Sequence, residues 1–262
     1  DGNYPTGTSN VALGDTALDS LTSGNENTAI GAASLTANTS GCYNVSVGRS
    51  SLAANTTACG NTAVGMFSVA TNTTGASNVG IGRNSLRANT TASNNTAVGT
   101  DSLCANTTGT QNTALGHETL ASNTEGNYNT AVGRLALYEN TTGSNNVGVG
   151  LDALEKNTTG SCNVAVGTNA LDANTTGACN VAVGCGALGA NTTAGLNIAI
   201  GALALTTNQT GGSMVAIGHC ALSTSTGTGQ SIAIGDRVLK TNTSGCLNTA
   251  IGHTSMCDNS SG

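Results

Sequence analysis

Two histidines and an aspartate recur at one spacing near the end of the chain. His219, Asp236 and His253 follow one another at intervals of seventeen residues. Imidazole and carboxylate groups in a row are a set that a metal ion could use, and a hydrolase could use Asp with His. No nucleophile converges on these three residues in the sequence pattern, and variable surface positions of a repeat protein meet by chance. We therefore predict no metal site, no catalytic site and no cofactor.

The nine cysteines could form disulfides. Cys42 and Cys59 are seventeen residues apart, as are Cys162 and Cys179. If this spacing places residues in neighbouring coils, each pair is near the Cα separation of a disulfide, and both pairs could bridge in an oxidising compartment. Free thiols that fill small pockets are the alternative. The cysteines without a predicted partner are Cys104, Cys185, Cys220, Cys246 and Cys257.

Asn-x-Ser/Thr sequons recur at the same spacing and could carry glycans in an exported protein. Simple turn chemistry, repeated by duplication, is the alternative explanation for them. Asn44 and Asn94 add two sequons outside the regular spacing. The regular candidates for glycosylation are Asn38, Asn55, Asn72, Asn89, Asn106, Asn140, Asn157, Asn174, Asn191, Asn208, Asn242 and Asn259.

All of these residues belong to a seventeen-residue repeat without insertion or deletion. Counted from Asn10 as position 1, the unit is Asn, Thr/Val, Ala, Val/Ile, Gly, two variable residues, Ala/Ser, Leu, two variable residues, Asn, Thr, Thr, Gly and two variable residues. Fourteen full repeats cover 10–247, an incomplete one covers 248–262, and residues 1–9 resemble the end of a preceding repeat. We predict a single repeat domain over 1–262.

The period and composition of the repeat predict an all-β parallel solenoid of about fifteen coils, with one coil per repeat. Seventeen residues are too few for two helices. Positions 2 and 4, which hold Thr, Val, Ile or Leu, alternate with Ala at position 3, as in a strand with one buried face. We expect a second short strand at positions 8 to 10 and a turn at Asn-Thr-Thr-Gly. Stacked Asn side chains at the bends could hydrogen-bond along the axis.

This alternation predicts that positions 2 and 4 face the core, and positions 3 and 5 face outward. A solvent-facing strand has no reason to hold only Ala, Ser or Gly, so we predict that these residues pack against another chain. A cramped inner bend is the alternative, and Gly at position 5 requires either positive φ or close approach of another backbone. The predicted self-association face is Ala29, Gly31, Ala63, Gly65, Ala97, Gly99, Ala131, Gly133, Ala165 and Gly167.

The composition excludes several functional classes. Only 8% of the residues are charged, and seven Lys and Arg against thirteen Asp and Glu give no basic patch for nucleic acid. No stretch approaches the roughly 20 apolar residues of a membrane helix, so we predict no membrane insertion. Seventeen of the twenty charged residues lie at positions 6, 7, 10 and 11, and this predicts that those positions face water.

The unit Asn-Val-Ala-Val-Gly at 163–167 and 180–184 resembles the head repeats of YadA-like trimeric autotransporter adhesins. It is also similar to the seventeen-residue repeats of bacteriophage tail-fibre and bacterial surface fibre proteins. The resemblance implies a left-handed parallel β-roll that forms trimers, with Val164, Val166, Val181 and Val183 in the core. The chain departs from the adhesins in its longer repeat and in having no coiled-coil stalk, membrane barrel or chaperone domain.

We therefore expect a structural, non-enzymatic protein that assembles with itself as a trimer or a filament, outside the cell or on a cell or virion surface. An adhesin head or tail-fibre segment that binds a surface receptor or glycan is the main alternative. Ice binding by the Thr row at position 13 is a third possibility. The chain starts at Asp1 without Met, which we interpret as processing or as the boundary of a fragment.

Overall fold

A computed structural model describes residues 7–226 and 229–261. The chain divides into two compact units, Asp1–Asn129 and Thr130–Gly262, and each is considered by itself. The prediction of a single repeat domain stays a prediction, and most of its partial first coil, residues 1–6, lies outside the described residues. None of the described residues forms a helix that could cross a membrane.

Each unit is a parallel β-solenoid in which every repeat contributes one three-residue strand at positions 2 to 4. Consecutive strands pair in parallel, and each residue lies beside its equivalent in the next repeat, as Val164 lies beside Val181. The predicted solenoid with seventeen-residue coils is thereby confirmed. Its handedness stays a prediction. In the first unit the strands are β1 (Val11–Leu13), β2 (Thr28–Ile30), β3 (Val45–Val47), β4 (Thr62–Val64), β5 (Val79–Ile81), β6 (Thr96–Val98) and β7 (Thr113–Leu115). In the second they are β8 (Thr130–Val132), β9 (Val147–Val149), β10 (Val164–Val166), β11 (Val181–Val183), β12 (Ile198–Ile200), β13 (Val215–Ile217), β14 (Ile232–Ile234) and β15 (Thr249–Ile251).

No second strand forms at positions 8 to 10 in the described residues, because positions 7 and 9 adopt left-handed backbone conformations. Asn169 has φ of 54° and Leu171 has φ of 55°, and Cys179 at position 17 has φ of 59°. Each such residue costs roughly 1–2 kcal/mol. Hydrogen bonds between coils continue through these turns, for example from the Leu171 N–H to the Ala187 carbonyl at 2.9 Å. The stacked coils therefore hold a backbone that a single coil would not keep.

The core of each coil contains Leu at position 9 and Ala at position 3. Leu171 and Ala165 are fully buried, as are their equivalents through most of both units. The prediction that positions 2 and 4 face the core is therefore wrong, and so is the core assignment implied for Val164, Val166, Val181 and Val183: they are half-buried or exposed. The coil is too narrow to enclose Leu together with two further aliphatic side chains.

Val69 and Gly80 illustrate how little space the interior holds. Val69 stands at position 9, where most coils have Leu. In the following coil, Gly80 stands at position 3, where most coils have Ala. A Cβ atom on Gly80 would lie 2.5 Å from Cγ2 of Val69, which is a severe overlap. The branched side chain therefore occupies the volume that an alanine methyl group fills elsewhere.

Two ladders of buried asparagines complete the interior, at positions 1 and 12. The Asn174 side chain donates to Oδ1 of Asn157 at 2.8 Å and to the Gly177 carbonyl at 3.0 Å, and it accepts a bond from Asn191. At position 1, the Asn180 N–H donates to Oδ1 of Asn163 at 3.0 Å. The predicted stacking of Asn side chains along the axis is confirmed. These bonds satisfy polar groups that would be costly to bury unpaired.

Glycine at position 5 has both of the properties that the sequence offered as alternatives. Gly167 has φ of 136°, which disfavours any residue with a side chain. A Cβ atom there would also lie 2.7 Å from the carbonyl carbon of Gly184. The backbone that approaches is the next coil of the same chain, so this glycine is explained without a second chain.

Candidate assembly surface and the other predicted sites

The outer face of the sheet exposes the aliphatic side chains of positions 2 and 4, which we call the aliphatic strip. Position 3 lies between them and faces the interior, and neighbouring residues of a strand point to opposite faces. In the first unit the strip consists of Val11, Leu13, Thr28, Ile30, Val45, Val47, Thr62, Val64, Val79, Ile81, Thr96, Val98, Thr113 and Leu115. In the second it consists of Thr130, Val132, Val147, Val149, Val164, Val166, Val181, Val183, Ile198, Ile200, Val215, Ile217, Ile232, Ile234, Thr249 and Ile251.

None of the residues of the strip is buried. Val166 is 37% exposed and Ile200 is 39% exposed, although each lies between two neighbouring strands. Every side chain of the strip is Val, Ile, Leu or Thr, and none is charged. Each unit therefore presents an uncharged surface of Val, Ile, Leu and Thr side chains whose rows repeat at the strand spacing of about 4.8 Å.

The predicted self-association face of Ala and Gly does not exist as an outer surface. Five of its residues are fully buried inside the coils, namely Ala29, Ala63, Ala97, Ala131 and Ala165. Its other five residues follow the strands and are half-buried, and each lies against the backbone of the next coil: Gly31, Gly65, Gly99, Gly133 and Gly167. The alternative of a cramped inner bend explains the alanines, because the restriction to small side chains comes from the narrow interior.

The predicted glycosylation row also faces inward. Eleven of its twelve asparagines are fully buried in the ladder at position 12, where their amides are hydrogen-bonded, so the folded coil has no room for a glycan on them. The exception, Asn259, is half-buried in the last repeat. The assumption that these asparagines are exposed is wrong, although the turns form and other residues of them, such as Thr176, are exposed. Of the two irregular sequons, Asn44 is buried and Asn94 is exposed.

All nine cysteines are free thiols. Cys42 and Cys59 do lie in neighbouring coils, but the Cys59 sulfur accepts a hydrogen bond from the Cys42 N–H at 3.1 Å, and each thiol points to a carbonyl of its own turn. Cys162 and Cys179 are exposed and unbridged. Both disulfides therefore stay predictions for an oxidising environment. Cys104 is half-buried, and burial raises the pKa of its thiol, with a further increase from Asp101.

The threonines at position 13 direct their hydroxyls along the axis. The Thr175 hydroxyl donates to the Thr192 carbonyl at 3.0 Å, and the Thr158 hydroxyl donates to the Thr175 carbonyl at 3.0 Å. A hydroxyl that is bonded to the next coil is not free to donate to surface water. This arrangement weakens the ice-binding alternative.

Positions 6, 7, 10 and 11 form the polar surface of each unit. Arg83 pairs with Asp101 at 3.2 Å, and Phe67 lies under the guanidinium groups of Arg49 and Arg87, which are 5.8 and 5.7 Å from its ring centroid. Two cations over one ring leave little of it for a sugar to stack on. On this surface in the second unit, burial raises the pKa of Glu155, and the neighbouring Asp152 adds to the effect.

The row of His219, Asp236 and His253 forms as the spacing indicates. Nδ1 of His219 lies 3.0 Å from Oδ1 of Asp236, and Nε2 of His253 lies 3.3 Å from Oδ2 of the same carboxylate. Among the described residues, no three His, Cys, Asp or Glu side chains are arranged so that they could hold a metal ion together. The expectation that no nucleophile meets the row is wrong, because the Cys220 sulfur lies 3.3 Å from Nε2 of His219. The repeat spacing did not predict this contact, because Cys220 occupies position 7 whereas the three residues of the row occupy position 6.

Comparison of the chain with protein-family models, with curated proteins and with solved structures finds no match.

Proposed function

We propose that this chain is a structural protein that associates with further copies of itself through the aliphatic strip and so builds an extracellular or surface fibre. The observation that carries the proposal is the composition of the strip, which contains aliphatic residues and Thr alone, at positions open to solvent. The interior does not dictate these residues, because the side chains point away from it. Strand propensity and the repulsion between stacked like charges favour Val, Ile and Thr here, and burial against another copy would favour the aliphatic residues further.

Burial of the strip against another surface would stabilise an assembly. Complete burial of a fully exposed Val or Ile side chain contributes roughly 1.5–3 kcal/mol, and a strip residue such as Val166, which is 37% exposed, would contribute part of that. Soluble monomers rarely expose large continuous apolar patches. The strip runs along consecutive coils, so these contributions accumulate with the number of coils in contact. The stability of the assembly would then depend on the length of the fibre.

A second copy of the chain is the partner that fits this surface best. The rows of the strip are separated by one strand spacing, and a partner must present apolar groups at the same interval to fill the grooves between them. Another copy of the strip has that interval throughout its length. The absence of charge on the strip also removes the repulsion that two identical charged faces would have.

The test compares two double variants of the full chain by sedimentation velocity at increasing concentration. Val166→Lys with Ile200→Lys places two charges on the strip in coils that are not adjacent. Thr168→Lys with Ala202→Lys places the same charges at position 6 of the same two coils, on the polar surface. We expect the wild-type chain and the position 6 variant to assemble, and the strip variant to assemble at least about tenfold more weakly.

Circular dichroism and thermal melting of the isolated variants would show whether the solenoid is intact in each. A wild-type chain that stays monomeric at high concentration would overturn the proposal. It would also be overturned if the strip variant, folded as the wild type is, assembled as strongly as the position 6 variant.

A further inference from the structure

Four side chains from three consecutive coils of the second unit form a row of contacts from Cys220 through His219 and Asp236 to His253. His219 and Cys220 belong to the coil that contains β13, Asp236 to the coil of β14, and His253 to the coil of β15. Backbone bonds between the coils fix their spacing: the Arg237 N–H donates to the His219 carbonyl at 2.9 Å, and the Thr254 N–H donates to the Asp236 carbonyl at 2.9 Å. The group is therefore positioned by the solenoid backbone and does not depend on a flexible loop.

The two ring nitrogens of His219 have different partners. Nδ1 lies 3.0 Å from Oδ1 of Asp236, and a carboxylate can only accept, so Nδ1 carries the proton and donates to it. Nε2 then presents its lone pair to the Cys220 thiol, whose sulfur is 3.3 Å away. This tautomer is assigned from the contacts. A thiol, an imidazole and a carboxylate in this order form the arrangement in which the imidazole accepts the thiol proton and the carboxylate stabilises the resulting cation.

Basic side chains from three coils surround the carboxylate of Asp236. Arg237 stands at position 7 of the next coil, directly after Cys220 in the stack, and its Nε lies 4.0 Å from Oδ2 of Asp236. His253 contacts the same carboxylate, so a single Asp is shared among three basic side chains. The side chains of His219 and His253 are 50% and 74% exposed, which leaves the site open to a small molecule.

The other cysteines lack this arrangement. Among the described residues, Cys220 is the one whose sulfur meets a histidine nitrogen. Cys42, Cys59 and Cys104 direct their thiols to backbone carbonyls, and burial raises the pKa of Cys104. Cys185, at position 6, is exposed. The reaction rates of these cysteines can therefore serve as references for thiols that have no histidine beside them.

We propose that Cys220 is a reactive thiol that undergoes exchange with small disulfides. Its proton moves to Nε2 of His219, and the thiolate attacks one sulfur of the disulfide. The S–S bond of the reactant breaks, and a new S–S bond joins Cys220 to one half. The other half leaves as a thiolate and takes the proton from the imidazolium. Cys220 is oxidised, the leaving sulfur is reduced to a thiol, and no external oxidant is needed.

The test follows the reduced full chain in oxidised glutathione at about pH 7, with peptide mass spectrometry at successive times. We expect the mixed disulfide to form at Cys220 roughly tenfold faster than at Cys185 or Cys246, although both of these are more exposed. His219→Gln, which keeps an amide in place of the ring, should reduce the rate at Cys220 to that of the reference cysteines. Asp236→Asn should give an intermediate rate, because the imidazole loses its orienting partner.

His117→Gln is the matched control, because it removes a histidine of the first unit that pairs with Glu118 and should leave the rate at Cys220 unchanged. Iodoacetamide, which is neutral, separates thiol activation from selection of the disulfide. Equal rates at Cys220 and Cys185 with both reagents would overturn the proposal, as would an unchanged rate in a folded His219→Gln variant. Rapid alkylation without exchange with oxidised glutathione would overturn the assignment of the reactant.

Discussion

The inner and outer faces of the same three-residue strand carry side chains of different size. In β10, Ala165 faces inward and is fully buried, whereas Val164 and Val166 on either side of it face outward and remain accessible. The small residue is thus inside and the large residues are outside. This order reverses the usual expectation for an alternating strand, in which the larger apolar side chains fill the core.

The difference shows that volume determines the inner face, whereas the outer face is free of that limit and contacts only the equivalent side chains of neighbouring strands. Leu at position 9 and the Asn ladders already fill the interior, so the strand contributes only a methyl group. The outer face meets no such limit, yet its side chains are aliphatic or Thr throughout. Substitutions at neighbouring positions can therefore test separately which side-chain sizes each face accepts.

The largest expected effect is that of a larger side chain on the inner face. Ala165→Leu would place three more carbon atoms in a space that is fully closed, and we expect the unfolding free energy to fall by about 3 kcal/mol or more. Urea denaturation followed by circular dichroism would measure it. Val166→Leu enlarges the adjacent outer residue and should change the unfolding free energy by less than about 0.5 kcal/mol. Similar effects at the two positions would contradict the assignment of the faces.

A smaller loss is expected from the inner polar ladder. Asn174→Ala removes the bonds to Asn157 and Gly177, and the Asn191 amide loses one of its two acceptors and keeps the Ala194 carbonyl. Since unsatisfied buried polar groups cost about 1–3 kcal/mol each, we expect a loss of roughly 2–3 kcal/mol in the same denaturation experiment. Thr176→Ala changes an exposed residue of the same turn and serves as the control. Equal losses would show that the ladder adds nothing beyond the turn.

The smallest effect concerns the backbone of the turn that precedes the strand. Gln111 is exposed and has φ of 58°, so Gln111→Gly should relieve strain and raise the unfolding free energy by up to about 1 kcal/mol. Ala105→Gly, at a position without positive φ, should instead lower it by about 0.5–1 kcal/mol. Thermal melting of both variants would measure the opposite signs. A decrease in both would contradict the view that these turns store strain.

Several features of the fold follow from the repeat itself. The seventeen-residue period predicts one coil per repeat and the in-register rows, and Asn at positions 1 and 12 predicts the ladders that Asn174 and Asn180 form. Gly167 shows why position 5 is constant. The missing second strand could not be predicted, because nothing in the residue type of Leu171 indicates a left-handed conformation, which coil stacking imposes.

The candidate sites were harder to predict, because they depend on which way each side chain points. The alternation at positions 2 to 4 does not indicate which set of side chains faces the interior. From the sequence, either Ala165 or Val166 could have been the inner residue. The sequons at Asn174 and its equivalents match surface turns in pattern, yet their amides are enclosed. Cys220 was missed because its contact with His219 joins two different repeat positions.

The sequence alone determined the period, the class of fold and the rows of equivalent residues, because identical units that cannot bury their apolar residues alone must stack on one another. The tertiary structure decided which face of the strand lies inside. That choice depends on the cross-section of the closed coil, where Leu and two Asn side chains leave room only for Ala, Ser or Gly. It also decided which residues of different repeat positions touch, as Cys220 and His219 do, because such contacts depend on how the turns place side chains around the axis.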